Sequence, residues 1–233
     1  MKQRIWGLVP ARGGSKSIPK KNLALLDGKP LIDYGVHAAL SSGIFDEIYC
    51  STDDKEISDR AKYLGINVDR RPEKLASDDA AVSDVARDFI SRYQLAPDDL
   101  LVLIQPTSPF LLPEHIIELI GLMKKDKRCL SGQTIAPIPH NFHAWNQRYL
   151  DGKWVNFFYA KERREAYNKQ KKPKLYSFGN LVAVRVKALI HGGDFFSEPS
   201  IFTQISWPYN LDVDTPQDLK LAEALLSMSF LEI

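Results

Sequence analysis

Cysteine, methionine and tryptophan are scarce in this 233-residue sequence, at two, three and four copies. Cys50 and Cys129 have no spacing that fits a metal cluster or a disulfide framework, so neither a zinc module nor a disulfide-stapled secreted scaffold is encoded. Both lie in apolar runs and read as buried, reduced thiols of a cytoplasmic protein. Long apolar runs are missing too. The run from Ile5 to Val9 is too short for the core of a secretory signal and is broken by Pro10, and nothing approaches the ~20 apolar residues that span a bilayer. The expectation is therefore a cytoplasmic chain with no membrane contact. Charge of one sign is also lacking: 31 basic residues against 29 acidic ones leave a net charge of +2. Bulk attraction to nucleic acid finds no support in that balance, and an anionic small molecule would have to be met by local charge. The five histidines give no metal set: His140 and His143 flank Phe142, but no carboxylate or cysteine completes a group. No Ser/His/Asp or Cys/His arrangement is suggested by position.

What is present is an alternation of strand and helix. Buried strands are expected at 5–9, 47–51, 66–68, 100–105, 129–136 and 181–185, with another near Ile205. Helices are expected from Pro30 to Ser41, from an Asp53 or Asp54 cap to before Gly65, from Asp78-Asp79 to Tyr93, over 113–125, and from Pro216 to Leu226. This rhythm predicts a single α/β domain: a Rossmann-like, mainly parallel sheet with helices on both faces and ligands at the carboxyl ends of the strands. It breaks at 137–175, a stretch rich in aromatics. Lys161 to Lys174 there holds seven basic residues against two glutamates. An insertion used for dimer contact and a solvated excursion are both open readings of it.

The segment from Pro10 to Asn22 follows the first strand directly. Arg12, Lys16, Lys20 and Lys21 supply positive charge, Ser15 and Ser17 supply hydroxyls, and Gly13 and Gly14 let backbone amides adopt positive φ and approach an anion closely. These are parts a triphosphate needs. The spacing fits neither the P-loop nor the dinucleotide fingerprint. Near the other end, Asp212 and Asp214 are two residues apart, so in an extended segment both carboxylates share a face, an arrangement that suits Mg2+. Helix capping is the competing explanation there, with Asp214 or Thr215 as cap and Asp218 in the first turn.

The run Ala11-Arg12-Gly13-Gly14-Ser15-Lys16-Ser17-Ile18-Pro19-Lys20-Lys21-Asn22 resembles the A-R-x-G-S-K-x-[IL]-P-x-K-N signature of the acylneuraminate cytidylyltransferases. Three more blocks are similar to family segments: Arg71 to Asp78, Gln105-Pro106-Thr107-Ser108-Pro109, and Asp212 to Leu219. The resemblance implies the fold of the nucleotide-diphospho-sugar transferases and a homodimer, with 137–175 as the dimerisation arm. It implies transfer of CMP from CTP to the anomeric hydroxyl of a sialic-acid-like nine-carbon sugar acid, with release of pyrophosphate. Arg12, Lys21 and Asp214 would be catalytic, Asp212 and Asp214 would hold Mg2+, and Ser15 and the Gly13 amide would assist at the phosphates. Asn22 and Arg71 would lie at the base and Gln105 at the sugar acid, with Ala11 and Ala80 also among the substrate contacts. The chain departs from the pattern at Leu111, where the family has arginine, and at Gly179-Asn180, where it has N-G-A. Both bear on the sugar. Legionaminic, pseudaminic or 3-deoxy-octulosonic acid are alternative acceptors, and a non-catalytic nucleotide-binding module is the alternative from another class.

Overall fold

The structure is a computed structural model and describes residues 2–77, 79–166, 168–228 and 231, with the backbone alone at Lys169. Its strands are β1 (Ile5–Pro10), β2 (Leu25–Leu26), β3 (Lys29–Pro30), β4 (Glu47–Thr52), β5 (Asn67–Arg70), β6 (Leu100–Leu103), β7 (Ser131–Pro137), β8 (Arg148–Asp151), β9 (Trp154–Phe157), β10 (Tyr176–Arg185) and β11 (Ser200–Gln204). Its helices are α1 (Leu31–Ser42), α2 (Lys55–Tyr63), α3 (Val82–Tyr93), α4 (Pro113–Lys125), α5 (Ala160–Glu165), α6 (Val186–Ile190) and α7 (Pro216–Ser227). Seven strands form one sheet in the order β11-β7-β10-β6-β1-β4-β5. The pairs β1/β4, β1/β6, β4/β5 and β7/β11 are parallel, and β10 runs antiparallel to both β6 and β7.

Strand alternation builds both layers of core. Along β1, Ile5 and Val9 face one cluster while Trp6 and Leu8 face the other. β6 splits the same way, with Leu100 and Val102 on the first side and Leu101 and Leu103 on the second. The first side is covered by Ile32 and Val36 of α1, Ile57 and Ala61 of α2, and Ile116 and Leu119 of α4. The second is covered by Ala86 and Phe89 of α3 and by Val186 and Leu189 of α6. Strands buried on both faces need apolar side chains throughout, which is why β6 reads as an unbroken apolar run. From β1 the chain moves outward through β4 to β5, then crosses back to place β6 on the other side of β1. The order reverses between β1 and β6, and a crevice opens beyond their carboxyl ends.

Several expectations need correction. α3 begins at Val82, not at Asp79, and Asp78 lies outside the described residues. The strand expected at 181–185 starts at Tyr176 and carries a register shift between Phe178 and Val182. The strand expected near Ile205 is β11, ending at Gln204, and the short helix α6 was not foreseen. Asp54, not Asp53, caps α2: its carboxylate accepts from the Ile57 amide at 3.0 Å. Between β7 and β10 the chain folds the hairpin β8–β9 and the helix α5, with Leu150, Trp154, Val155 and Phe158 exposed.

Candidate active site

A cleft of about 440 Å3 lies at the β1/β6 switch point. Its walls come from the loop after β1 (Arg12, Gly14 to Ser17, Lys21, Asn22), from the turn after β6 (Gln105 to Thr107), and from Arg71, Ser77, Ala80, Val82 and Val85. A larger hollow of about 620 Å3, against α1 and the end of α7, holds none of the site residues expected from the sequence. Convergent charge, not volume, therefore marks the site.

The loop is held from three sides. At its neck the Asn22 Nδ2 donates to the Arg12 carbonyl at 2.9 Å. At its base the Ala11 amide donates to the Ser51 carbonyl at 3.0 Å, and Ala11 is fully buried beneath the cleft. On its outer edge Lys20 pairs with Glu56 of α2 at 2.5 Å. The positive φ expected at the glycines falls instead on Lys20, at 50°. Gly13 is required for closeness: a Cβ there would stand 2.7 Å from Asp54 Oδ2. Its amide does not turn to the cleft but donates to Asp53 Oδ1 at 2.9 Å.

Arg71 is buried and reaches across to the same strand end, its Nη2 donating to the Ser51 carbonyl at 2.8 Å. Burial lowers its proton affinity and the nearby Asp53 carboxylate opposes that, so the guanidinium stays charged at the cleft wall.

The carboxylate pair arrives from the far end of the chain. Val213, fully buried, packs with Ile18, Leu26, Phe110 and Leu225 in a third apolar cluster. The Val213 amide donates to the Thr107 carbonyl at 2.7 Å. With Val213 turned inward, Asp212 and Asp214 are left solvent-facing on either side of it. Asp214 Oδ1 meets Lys21 Nζ at 2.9 Å, with the lysine 17% exposed and the aspartate 68%. Solvent touches Asp212, yet protein crowds its inner side. Burial pushes its carboxyl up, the Thr107 hydroxyl bond opposes this, and the Asp214 charge adds to it. Capping belongs to the neighbours: Thr215 and Asp218 form a reciprocal box, with the Asp218 amide donating to Thr215 Oγ1 at 3.3 Å and the Thr215 amide to Asp218 Oδ2 at 2.8 Å. That leaves Asp212 outside the capping arrangement. Among the described residues no group of three or more His, Cys, Asp or Glu side chains could hold a metal.

Of the residues expected from the sequence, Arg12, Ser15, Lys21, Asn22, Arg71, Ala80 and Gln105 line one cleft. Asp214 joins it through Lys21 and Asp212 through Thr107. Ala11 and Gly13 stand behind the wall. Gln105 Oε1 is buried and has no hydrogen-bond partner among the described residues. The two departures from the family pattern fall elsewhere. Leu111 is 3% exposed in the apolar core. Gly179 sits where β10 crosses β7 so closely that a Cβ would stand 2.4 Å from Thr134 Oγ1. Asn180 is fully buried: its amide donates to Thr134 Oγ1 at 2.8 Å and its Nδ2 to the Tyr209 carbonyl at 2.9 Å, with His115 Nδ1 at 3.1 Å. It braces the segment that follows Gln105 and the one that leads to Asp212. Thr107 has no separate role in the sequence reading, and Asn180 enters there only as a departure bearing on the sugar. The turn composition offered a weak signal for Thr107. A buried asparagine inside an apolar strand offered none.

A family profile described as "Cytidylyltransferase" matches residues 6–233. The sequence is 34% identical to a CMP-N,N'-diacetyllegionaminic acid synthase of Legionella pneumophila subsp. pneumophila, covering 97% of each chain. It is 29% identical to an N-acylneuraminate cytidylyltransferase of Escherichia coli O18:K1:H7, covering 95% of this chain but 52% of that relative. Among solved structures, a CMP:2-keto-3-deoxy-manno-octonic acid synthetase complexed with CTP superposes with a TM-score of 0.74 at 18% identity, covering 97% of this chain and all of the other.

Proposed function

The chain belongs to the cytidylyltransferase family, and on that premise we propose that it transfers CMP from CTP to the anomeric hydroxyl of a sialic-acid-like nine-carbon 2-keto-3-deoxy sugar acid. The observation that carries this reading is the 2.9 Å contact between Lys21 Nζ and Asp214 Oδ1, which joins a phosphate-binding loop to a carboxylate pair at one cleft. The full-length relative that makes a CMP-legionaminate supports the nine-carbon acid.

Attack of the anomeric oxygen on the α-phosphorus, in line with the leaving pyrophosphate, needs no covalent enzyme intermediate. Rate then comes from positioning and from charge placed where charge develops. Arg12 and Lys21 take the β- and γ-phosphates, with Ser15 donating beside them. Asn22 and Arg71 hold the base, and Gln105 turns its unpaired oxygen to a hydroxyl of the sugar. Asp212 and Asp214 fit Mg2+. They offer hard oxygen donors, too few to make a closed protein cage, beside a cleft that would bring phosphate oxygens. Burial chiefly, and the Asp214 charge after it, hold the Asp212 carboxyl above its ordinary value, and a cation bound there would favour its ionised form. Bound there, the ion would neutralise phosphate charge and lower the pKa of the attacking hydroxyl. Lys21 would move from Asp214 to the phosphates when CTP enters.

The exposed apolar hairpin β8–β9, carrying Leu150 at 80% and Trp154 at 64%, supports a homodimer contact. Buried thiols at Cys50 and Cys129 support a reducing compartment, the cytoplasm. Among the described residues no helix is long and apolar enough to cross a membrane.

The test is pyrophosphate release from CTP and Mg2+ with a panel of sialic, legionaminic, pseudaminic and 3-deoxy-octulosonic acids. Turnover with the nine-carbon acids is expected. CTP binding with no release across the panel would leave a nucleotide-binding module instead.

A further inference from the structure

Asp53 is absent from the cleft wall, yet it touches the loop that forms the wall. Its carboxylate accepts the Gly13 amide at 2.9 Å from the side opposite the cleft. Gly13 lies against Asp54, close enough that any Cβ would collide with Asp54 Oδ2 at 2.7 Å and Asp54 Cβ at 2.9 Å. The next residue, Gly14, opens into the cleft and has nothing within 4 Å of where a Cβ would be. The chain is thus clamped at one glycine and free at the next. Asp53 also stands near Arg71, whose charge it supports, and Arg71 in turn lies within electrostatic reach of Arg12. One carboxylate at the end of β4 therefore borders the loop backbone and the Arg71 guanidinium assigned to the nucleotide.

We propose that Asp53 is a positioning residue for CTP: it grips the Gly13 amide from behind and so fixes the neighbouring loop residues, Arg12 and Gly14 to Ser17, in the shape that receives the triphosphate. This rests on the reading of the cleft as a CTP site. The work is done by the acceptor oxygen, not by the negative charge, because a charge beside a triphosphate site repels the ligand. The amide-to-carboxylate bond is charge-assisted but solvent-exposed. Its loss should cost a modest, measurable factor in affinity and little in stability.

The experiment measures CTP binding by calorimetry and turnover kinetics for the wild type, Asp53→Ala, Asp53→Asn and Gly13→Ala. Asp53→Ala should weaken CTP binding about tenfold, equivalent to about 1.4 kcal/mol, with the KM for the sugar acid within twofold and the melting temperature unchanged. Asp53→Asn retains an acceptor oxygen and should bind CTP as well as the wild type or better. Gly13→Ala forces the loop off the Asp54 contact and should reproduce the alanine phenotype without touching Asp53. Unchanged CTP affinity in Asp53→Ala, or equal loss in the asparagine and alanine variants, overturns the proposal and leaves the CTP reading standing. A wild type that neither binds nor turns over CTP removes both together.

Discussion

Lys21 and Asp214 are 193 positions apart in the chain and 2.9 Å apart in space. The pair is mostly open on the aspartate side, so it adds little to stability; its weight lies in what each partner is released to do. Lys21→Ala should lower kcat/KM for CTP by 10²–10³-fold, the usual loss for one stabilising donor in a charged transition state, while the thermal midpoint stays within about 2 °C. Asp214→Asn should raise the Mg2+ concentration needed for half-maximal rate, or abolish turnover. Normal metal dependence in Asp214→Asn would assign Asp214 to the helix start alone.

Gln105 offers a buried oxygen with no partner among the described residues. A buried acceptor left unmatched costs about 1–3 kcal/mol, which a ligand donor can recover. Gln105→Ala should therefore raise the KM for the sugar acid at least tenfold and leave the KM for CTP within twofold. Equal effects on both substrates would move Gln105 from the acceptor side of the cleft.

His115 gives a pH signature. Burial holds its imidazole below the ordinary value. Its Nδ1 accepts from the Leu112 amide at 3.3 Å and lies 3.1 Å from Asn180 Nδ2, and neither contact survives protonation of that nitrogen. The folded value is below the unfolded one, so this contribution is fully present above about pH 6.5 and is lost as pH falls toward the folded value. Thermal melts from pH 8 to 5 should show that decline, and His115→Gln should flatten it. A slope identical in both proteins would clear His115 of the effect.

Gly179→Ala should destabilise the fold by about 1–3 kcal/mol, the range for overpacking a close contact. The obstruction includes Thr134 backbone at 2.9 Å as well as its hydroxyl. Chemical denaturation measures it directly. A neutral result would mean the β7–β10 crossing relaxes without cost.

Replacing Leu150 and Trp154 together by aspartate should shift sedimentation from dimer to monomer if β8–β9 is the contact surface. Both are more than 60% exposed in the single chain, so its own fold should lose little.

Some of this was legible from residues alone. The apolar blocks of β1, β4 and β6 and the basic loop behind β1 carry their own chemistry, and the D-x-D spacing gave the metal-binding hypothesis. Direction was not legible: nothing in Leu181 to Arg185 distinguishes an antiparallel strand from a parallel one, because both faces of β10 are covered. Nor was the role of Gly179-Asn180. The pair serves a close strand crossing and a buried brace, both of which depend on partners distant in sequence. The loop glycines illustrate the same limit. Composition announced a backbone that approaches something closely, but could not say that for Gly13 the something is Asp54.

The inward turn of Val213, held by the Thr107 carbonyl and by α7, ties the placement of Asp212 and Asp214 to residues beyond position 200. A ribosome that has released only the first two hundred residues has already made every strand-end cation of the cleft, yet has none of the acidic counterpart. Such an unfinished chain also lacks Val213, Ala222 and Leu225, the side chains that pack against Ile18 and Leu26 on either side of the loop's end.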